Sequence, residues 1–227
     1  MWLLTPEEWS AIGLSLQVAV TATLVSLPFG ICIGYFLARR RFWGKNLVET
    51  FLSLPLVLPP VVTGYLLLIL LGRRGWIGSQ LDQCFGIRLV FTWKAAAIAS
   101  AVMAFPLMVR SIRVAFAELD QRLEMAARTL GAGRFETFLR ISLPLARRGL
   151  IAGSVLAFAR SIGEFGATVM VAGNIPGETQ TIPLFIYTLV NAPQGIEQST
   201  RMVIACILIA VVTLGISEYL ERNRRAR

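Results

Sequence analysis

Residues 11–38 read AIGLSLQVAVTATLVSLPFGICIGYFLA and contain no charged side chain. A helix needs about 20 consecutive apolar residues to cross a hydrocarbon core about 30 Å thick, so this stretch predicts a transmembrane helix. Pro28 lies inside it, and transmembrane helices tolerate proline when neighbouring groups satisfy the freed carbonyl. A basic cluster follows at once, and its members are Arg39, Arg40, Arg41 and Lys45. The sequence therefore begins with a membrane span that ends in positive charge.

Four further runs of similar composition follow the first. They cover residues 47–71, 89–109, 150–172 and 202–219. The chain of 227 residues is 56% hydrophobic, whereas soluble domains are roughly 45–50% apolar, and its mean hydropathy is +0.67. The sequence thus predicts an all-α integral membrane protein, a polytopic helical bundle of about five transmembrane helices. Because little length is left for loops, residues 1–227 are predicted to form a single transmembrane domain.

Two regions are predicted to depart from simple crossing helices. The second run contains Pro55, Pro59 and Pro60, which remove backbone donors and must kink or break its helix. Residues 182–190 are moderately apolar but too short to span the bilayer. They predict a re-entrant or interfacial helix on the outer side of the membrane.

The basic residues are distributed unevenly between the two sides that five spans define. Of the 22 Lys and Arg residues, 16 fall on the side that holds the C-terminus. Cytoplasmic loops carry an excess of Lys and Arg, so the N-terminus is predicted outside and the C-terminus inside. The basic residues on the outer side are Arg73, Arg74, Arg88, Lys94 and Arg201. Arg73, Arg74 and Asn174 are candidates for the outer mouth of a pathway, although two outer arginines also fall within the scatter of a statistical rule.

The segment 111–148 is too polar to span and too regular to be unstructured. Its apolar residues recur at helical spacing. Asp120 is a predicted helix N-cap, and Gly131 with Gly133 predicts a turn between two short helices. Such a helical pair lies on a membrane surface or docks into a groove of a soluble partner, and composition leaves both readings open.

A motif within this segment favours docking. Residues 124–131 read EMAARTLG, and residues 141–144 read ISLP. This spacing resembles the EAA loop of ABC importer permeases, in which E-A-A, three residues, Gly, nine residues and I-x-L-P follow in order. The matching positions are Ala126, Ala127, Gly131, Ile141, Leu143 and Pro144. The sequence departs from the pattern at Met125, where the family has Glu, and Glu124 supplies an acidic side chain one position earlier.

The resemblance implies a source of energy outside this chain. In such permeases the first helix of the loop sits in a cleft of a separate ATPase subunit, whose nucleotide-driven closure moves it. A phosphate-binding loop needs a glycine-rich run ending in Gly-Lys-Ser/Thr, but here Gly44-Lys45 is followed by Asn46 and lacks the upstream glycine. We therefore expect no catalytic residue, metal site or cofactor in this chain, with ATP and Mg bound by the partner ATPase.

The fourth predicted span contains two charges, Arg160 and Glu164. They lie four positions apart, so they can pair on one helix face. Charged residues within a membrane span are functional candidates by default, and the alternative is a buried structural ion pair. Because Glu164 would oppose a dianion, a role in a gate is preferred to substrate binding. Gly163 and Gly166 favour close helix packing beside that gate.

The sequence around these charges narrows the family. Residues 160–167 (RSIGEFGA), 172–177 (AGNIPG) and 179–187 (TQTIPLFIY) resemble the permeases of molybdate and sulfate importers, and molybdate permeases more closely. The resemblance covers nearly the whole chain. It implies a type I ABC importer permease fold, a homodimer, two ATP-binding cassette subunits, a periplasmic oxyanion-binding protein and a bacterial inner membrane.

Several functions stay open at this level. Within the same branch, sulfate, thiosulfate and tungstate are alternatives to molybdate, since specificity in such systems resides largely in the binding protein. A different class is an ATP-independent secondary transporter, which is expected to show an inverted repeat. The net charge of +9 does not indicate nucleic acid, because the basic residues lie beside apolar spans.

Overall fold

The computed structural model describes residues 4–192 and 195–222, and those residues contain helices and loops but no strand. The helices are α1 (Pro6–Arg39), α2 (Lys45–Val57), α3 (Pro60–Leu71), α4 (Trp76–Phe85), α5 (Trp93–Ala117), α6 (Gln121–Thr129), α7 (Arg134–Thr137), α8 (Leu143–Ile162), α9 (Gly166–Ala172), α10 (Ile182–Val190) and α11 (Gly195–Arg222). A π-helical turn, Phe138–Ser142, joins α7 to α8. The predicted all-α fold is confirmed.

Helix α1 begins with a capping box. Thr5 Oγ1 accepts a hydrogen bond from the backbone N–H of Glu8 at 3.2 Å, and the Glu8 carboxylate accepts one from the backbone N–H of Thr5 at 2.6 Å. This reciprocal pair satisfies donors that a helix start leaves free. The buried Glu8 carboxylate also pairs with Arg201 of α11 at 3.2 Å. The start of α1 is thus attached to α11. The first predicted span lies wholly within α1.

Helices α1, α5 and α8 form the packed centre of the bundle. Ile112 and Phe116 of α5 are fully buried between the other two helices. The α1–α5 contact depends on Gly34, because a Cβ added there would lie 2.8 Å from Ile112 Cγ2. On the α8 side, a side chain at Gly149 would collide with Ala115. Small residues at such contacts let helices in a membrane approach closely.

The second predicted span is two helices. Helices α2 and α3 are separate elements that meet at a bend of 109° across Leu58 and Pro59. Pro59 and Pro60 have no backbone N–H to continue the helical hydrogen bonds. The predicted break is confirmed, and its angle is too large for one straight crossing helix.

The fourth predicted span is also interrupted, so the prediction of one helix over residues 150–172 is wrong. Helix α8 starts earlier and ends at Ile162, and α9 begins after a break at residues 163–165. The Glu164 carboxylate accepts a hydrogen bond from the backbone N–H of Ala167 at 2.8 Å, which satisfies a free donor at the start of α9. Helix α5 is longer than predicted, so residues 111–117 belong to the bundle instead of the polar loop.

Three continuous helical stretches in the described residues are long and apolar enough to cross a membrane: α1, α5 and Arg134–Ile162. The bent α2–α3 pair is a fourth if it counts as one span, and α11 contains a shorter apolar stretch, Ser199–Thr213. This set roughly fits the prediction of about five spans. The basic tail that entered the orientation argument lies mostly beyond residue 222, outside the described residues.

The short apolar segment 182–190 does form a helix, α10. It packs against α11 and α1, and the backbone N–H of Ile182 donates to Ser15 Oγ of α1 at 2.7 Å. This buried bond gives the first turn of α10 a partner that its own helix cannot supply. Its placement relative to the membrane stays a prediction.

The glycine contact between α1 and α5 can be tested by substitution. Gly34→Leu should lower the free energy of unfolding by about 1–3 kcal/mol, the usual cost of overpacking a filled core. Gly13→Leu on the same helix should change it by less than about 0.5 kcal/mol, because a Cβ added there meets no atom within 4 Å. Unfolding of the purified chain in detergent, followed by tryptophan fluorescence, measures both. Equal losses would contradict the packing argument.

Candidate functional site

The predicted docking helix is α6, and its start is built as the sequence indicated. Asp120 is the N-cap, and its carboxylate accepts a hydrogen bond from the backbone N–H of Arg122 at 2.9 Å. After α6 the chain turns at Gly131, whose φ of +93° lies in the left-handed region. Its N–H donates to the carbonyl of Arg128 at 3.0 Å. Only glycine adopts this conformation without a steric cost, so the turn depends on the motif glycine.

Glu124 joins three separate parts of the chain. It is 8% exposed, and its Oε1 accepts hydrogen bonds from Arg39 Nη2 at 2.8 Å and Nε at 3.1 Å. The hydroxyl of Ser142 donates to the same oxygen at 2.7 Å. One carboxylate therefore links the end of α1, helix α6 and the turn that leads into α8. Sequence reasoning placed Glu124 in the motif but missed Arg39 and Ser142, because it used Arg39 only to set orientation.

Five motif positions face one opening. Ala126, Ala127, Gly131, Ile141 and Pro144 line a single cavity of about 750 Å³. Residues up to 18 positions apart in the sequence thus share one surface. The alanine side chains are small, so a partner can approach the backbone of α6 closely. A groove of this kind suits an inserted helix or loop of another protein.

The remaining motif residues have other surroundings. Leu143 packs on the buried cluster around Ile112, so it holds the start of α8 against α5. Met125, at the position where the family has Glu, is exposed. Leu123 and Leu130 also line the groove and are 47% and 89% exposed, and contiguous exposed apolar surface marks interaction sites.

The two helix breaks touch each other. A Cβ added to Gly166, at the start of α9, would lie 2.8 Å from Pro60 Cβ at the start of α3. A Cβ added to Gly64 would lie 2.8 Å from the Cα of Ala167. The interrupted ends of the second and fourth predicted spans therefore pack through glycine contacts. Non-helical backbone at membrane depth is tolerated where it is buried in protein or lines a cavity.

Arg160 and Glu164 pair across the second break, with Nη1 and Oε2 2.7 Å apart. Glu164 is 1% exposed as a side chain, and its other oxygen holds the Ala167 N–H. Both carboxylate oxygens are thus occupied by groups of this chain. Gly163 is exposed, with open space around it. The pair was predicted on one continuous helix, whereas the structure places it across a helix end.

Buried hydroxyls near these breaks were missed by sequence reasoning. In the described part of the chain, the side-chain oxygens of Thr63, Ser161 and Thr168 are buried without a hydrogen-bond partner. They belong to α3, α8 and α9. A buried hydroxyl left unsatisfied costs about 1–3 kcal/mol. No pattern in one sequence distinguishes such residues from ordinary small polar residues in a span.

The outer-mouth candidates are not all brought together. Arg73 and Arg74 line a cavity of about 640 Å³ at the end of α3. Asn174 lies in the loop before α10, where its Nδ2 donates to Thr188 Oγ1 at 2.9 Å. Among the described residues, no three His, Cys, Asp or Glu side chains gather where they could hold a metal ion.

The family model described as "Binding-protein-dependent transport system inner membrane component" matches residues 30–226. The chain belongs to this family. As a member it is an integral protein of the inner membrane, and the family consists of transport components and not enzymes.

Relatives within the transport family are similar over nearly the full length. The chain is 55% identical over 225 residues to the molybdenum transport system permease protein ModB of Escherichia coli (strain K12), covering 99% of this chain and 98% of ModB. It is 50% identical over 220 residues to ModB of Haemophilus influenzae, covering 97% and 96%. It is 38% identical over 213 residues to the sulfate transport system permease protein CysW of Synechocystis sp., covering 92% and 76%.

Solved structures of transporters share the fold. A bacterial alginate ABC transporter in complex with an alginate-bound periplasmic protein gives a TM-score of 0.76 at 18% identity, covering 96% of this chain and 80% of that one. The inward-facing methionine ABC transporter MetNI gives 0.66 at 16% identity, covering 98% and 96%. At these identities the likeness concerns the fold alone, which is that of a type I ABC importer permease.

The contacts of Glu124 with Arg39 and Ser142, here called the Glu124 junction, predict an effect on stability. Glu124→Ala should lower the free energy of unfolding by about 3 kcal/mol, because it leaves the buried Arg39 guanidinium without its carboxylate. Arg39 is 9% exposed as a side chain, whereas the Glu136–Arg140 pair on the same loop is largely exposed. Glu136→Ala should therefore cost less than about 0.5 kcal/mol. Chemical unfolding in detergent micelles measures the free energy of unfolding of both variants. Similar losses would contradict the claim that the buried Glu124 junction stabilises the fold more than the exposed Glu136–Arg140 pair does.

Proposed function

We propose that this chain is the membrane-spanning permease subunit of an ATP-driven importer and forms the pathway for molybdate across the inner membrane. The observation that carries the proposal is the 55% identity to ModB over 99% of the chain. The sulfate permease CysW is more distant, at 38%. Molybdate is a tetrahedral dianion that accepts hydrogen bonds from hydroxyl donors. In the described part of the chain, the hydroxyls of Thr63, Ser161 and Thr168 near the helix breaks are buried without a hydrogen-bond partner.

The proposed energy source is a separate ATPase that docks at the groove beside α6. In support, Ala126, Ala127 and Pro144 line one open cavity, and the chain has no phosphate-binding loop of its own. ATP and Mg would be bound by that ATPase, and this chain would carry no cofactor. Two such ATPase subunits, a second copy of this chain and a periplasmic oxyanion-binding protein complete the proposed assembly.

The proposed orientation places the N-terminus in the periplasm and the C-terminus in the cytoplasm. The distribution of Lys and Arg, with 16 of 22 on one side, supports it. In this orientation the α6 loop faces the cytoplasm, where ATP is available. The meeting of α3 and α9 at Gly166 and Pro60 is the proposed gate, and Arg160–Glu164 fixes the angle between α8 and α9 beside it.

One experiment separates this proposal from its alternatives. Uptake of radiolabelled molybdate is measured in proteoliposomes that contain this chain, its candidate ATPase and its binding protein, with sulfate or tungstate as competitor. We expect uptake that requires ATP in the compartment that the ATPase faces and that resists excess sulfate. Uptake without the ATPase would support a secondary transporter instead. ATP-driven uptake that prefers sulfate or tungstate would keep the mechanism and replace the substrate.

The coupling role of the loop is tested at its turn. Gly131→Ala should reduce ATP-driven uptake by about tenfold, since a side chain in the left-handed region costs about 1–2 kcal/mol and would distort the turn that positions α6 along the groove. Gly133→Ala, two positions later, should leave uptake nearly unchanged, because its φ is −68° and a Cβ there meets no atom within 4 Å. Equal uptake by the two variants would show that the left-handed turn at Gly131 is not required for coupling.

The proposed gate is tested with a second matched pair. Gly166→Leu should abolish most uptake because its side chain would push α9 away from Pro60. Gly163→Leu should retain most uptake because the space around Gly163 is open. Both variants are first checked for equal amounts in the membrane. Full uptake by Gly166→Leu would show that the contact between the breaks does not control passage.

A further inference from the structure

Helix α4 is a short helix folded tightly against the end of α3. A side chain at Gly75 would collide with the carbonyl oxygens of Ile69 and Leu70, and one at Gly78 with those of Leu71 and Gly72. The backbone of α4 therefore rests directly on the last turn of α3. Large aromatic side chains stand exposed at both ends of the helix, namely Trp76 and Phe85. Aromatic residues are enriched at the level of the lipid headgroups, so α4 has the composition of an interfacial helix.

The cavity beside α4 combines apolar walls with a basic rim. Its volume is about 640 Å³. Its apolar walls include Leu68, Ile69, Ile87, Leu89, Val90 and Phe91. Three arginines also line it, Arg73, Arg74 and Arg88, and its one acidic residue is Asp82. The cavity thus carries an excess of two positive charges.

Asp82 cannot satisfy these arginines. Its Oδ1 accepts one hydrogen bond, from Arg88 Nε at 3.4 Å, and its Oδ2 lies 3.7 Å from Arg73 Nε. Both distances are longer than the 2.7–2.9 Å typical of a charge-assisted hydrogen bond, and the Nη groups of both arginines are not used by Asp82. The side chains of Arg73 and Arg88 are 72% and 64% exposed. Among the described residues, Arg74 forms no ion pair with another side chain. The rim therefore has guanidinium donors available for an added anion.

We propose that this cavity binds an anionic glycerophospholipid. Its phosphodiester would sit among Arg73, Arg74 and Arg88, and an acyl chain would lie along the apolar wall beside α3. Lys and Arg side chains near a membrane surface attract anionic headgroups, and the apolar walls of this cavity add a surface for an acyl chain. A free oxyanion would use the arginines but leave the apolar walls in water, and an acidic protein surface would leave the depth of the cavity empty. The inference needs only the membrane insertion of the chain, so it does not depend on the transported ion.

The test measures lipid retention by the full chain. The purified protein is placed in nanodiscs of phosphatidylcholine with a minor fraction of phosphatidylglycerol, and retained lipids are counted by native mass spectrometry. Substituting Arg73, Arg74 and Arg88 by Gln should reduce retained phosphatidylglycerol by about fivefold for each arginine removed. Asp82→Asn should increase retention, because it removes the competing carboxylate. Phosphatidylcholine retention should not change in either variant.

A matched control removes the same charge elsewhere. Arg122, Arg134 and Arg147 are exposed, and substituting all three by Gln should leave phosphatidylglycerol retention unchanged. Equal retention by the wild type and the cavity variant would overturn the proposal, as would an equal loss in the control. Displacement of the lipid by millimolar glycerol phosphate or molybdate would assign the site to a free anion. The cavity variant is also tested for docking of the binding protein in nanodiscs of phosphatidylcholine alone. Weakened docking there, together with unchanged retention of phosphatidylglycerol in the mixed nanodiscs, would assign the arginines to a protein-docking surface.

Discussion

The buried carboxylate of Glu124 is the constraint on which the rest of the loop depends. A charge removed from water is tolerated only when it is paired and hydrogen-bonded, and here one oxygen accepts bonds from Arg39 and Ser142. These partners come from α1 and from the turn before α8, so the carboxylate cannot be satisfied unless α6 lies across both. The position of α6 is thus set by an electrostatic requirement, while Ala126 and Ala127 on its other side line the groove.

Helix α8 connects this junction to the helix breaks. Its 20 residues span about 30 Å at 1.5 Å per residue. Ser142, just before its start, is bonded to Glu124, and Arg160 near its end is bonded to Glu164. Both ends of one rigid element are therefore attached through buried carboxylates. In the proposed importer, a displacement of α6 by the ATPase would reach the contact between α3 and α9 through α8, without any need for the helix itself to deform.

The parts predicted from sequence are those governed by local chemistry. The apolar run of residues 11–38, the Asp120 cap and the short helix at 182–190 each depend on neighbouring residues in the chain. The break after Ile162 could not be predicted, because residues 150–172 contain no proline and are mostly apolar, and the break is stabilised by Glu164 and by the contact of Gly166 with the distant Pro60. The pair of Arg39 and Glu124 spans 85 positions, and no periodicity in a single sequence reports such a distance.

The arginines show the same division between composition and structure. Counting Lys and Arg treats every basic residue as an equal indicator of orientation, but their surroundings differ. Arg39 is buried against a carboxylate, Arg160 closes a helix break, and Arg73 is mostly exposed beside an apolar cavity. A guanidinium that is already paired holds the fold together, whereas one that is exposed can recruit a ligand. The charge count therefore describes the side of the membrane, and only the local geometry decides which arginines are available for binding.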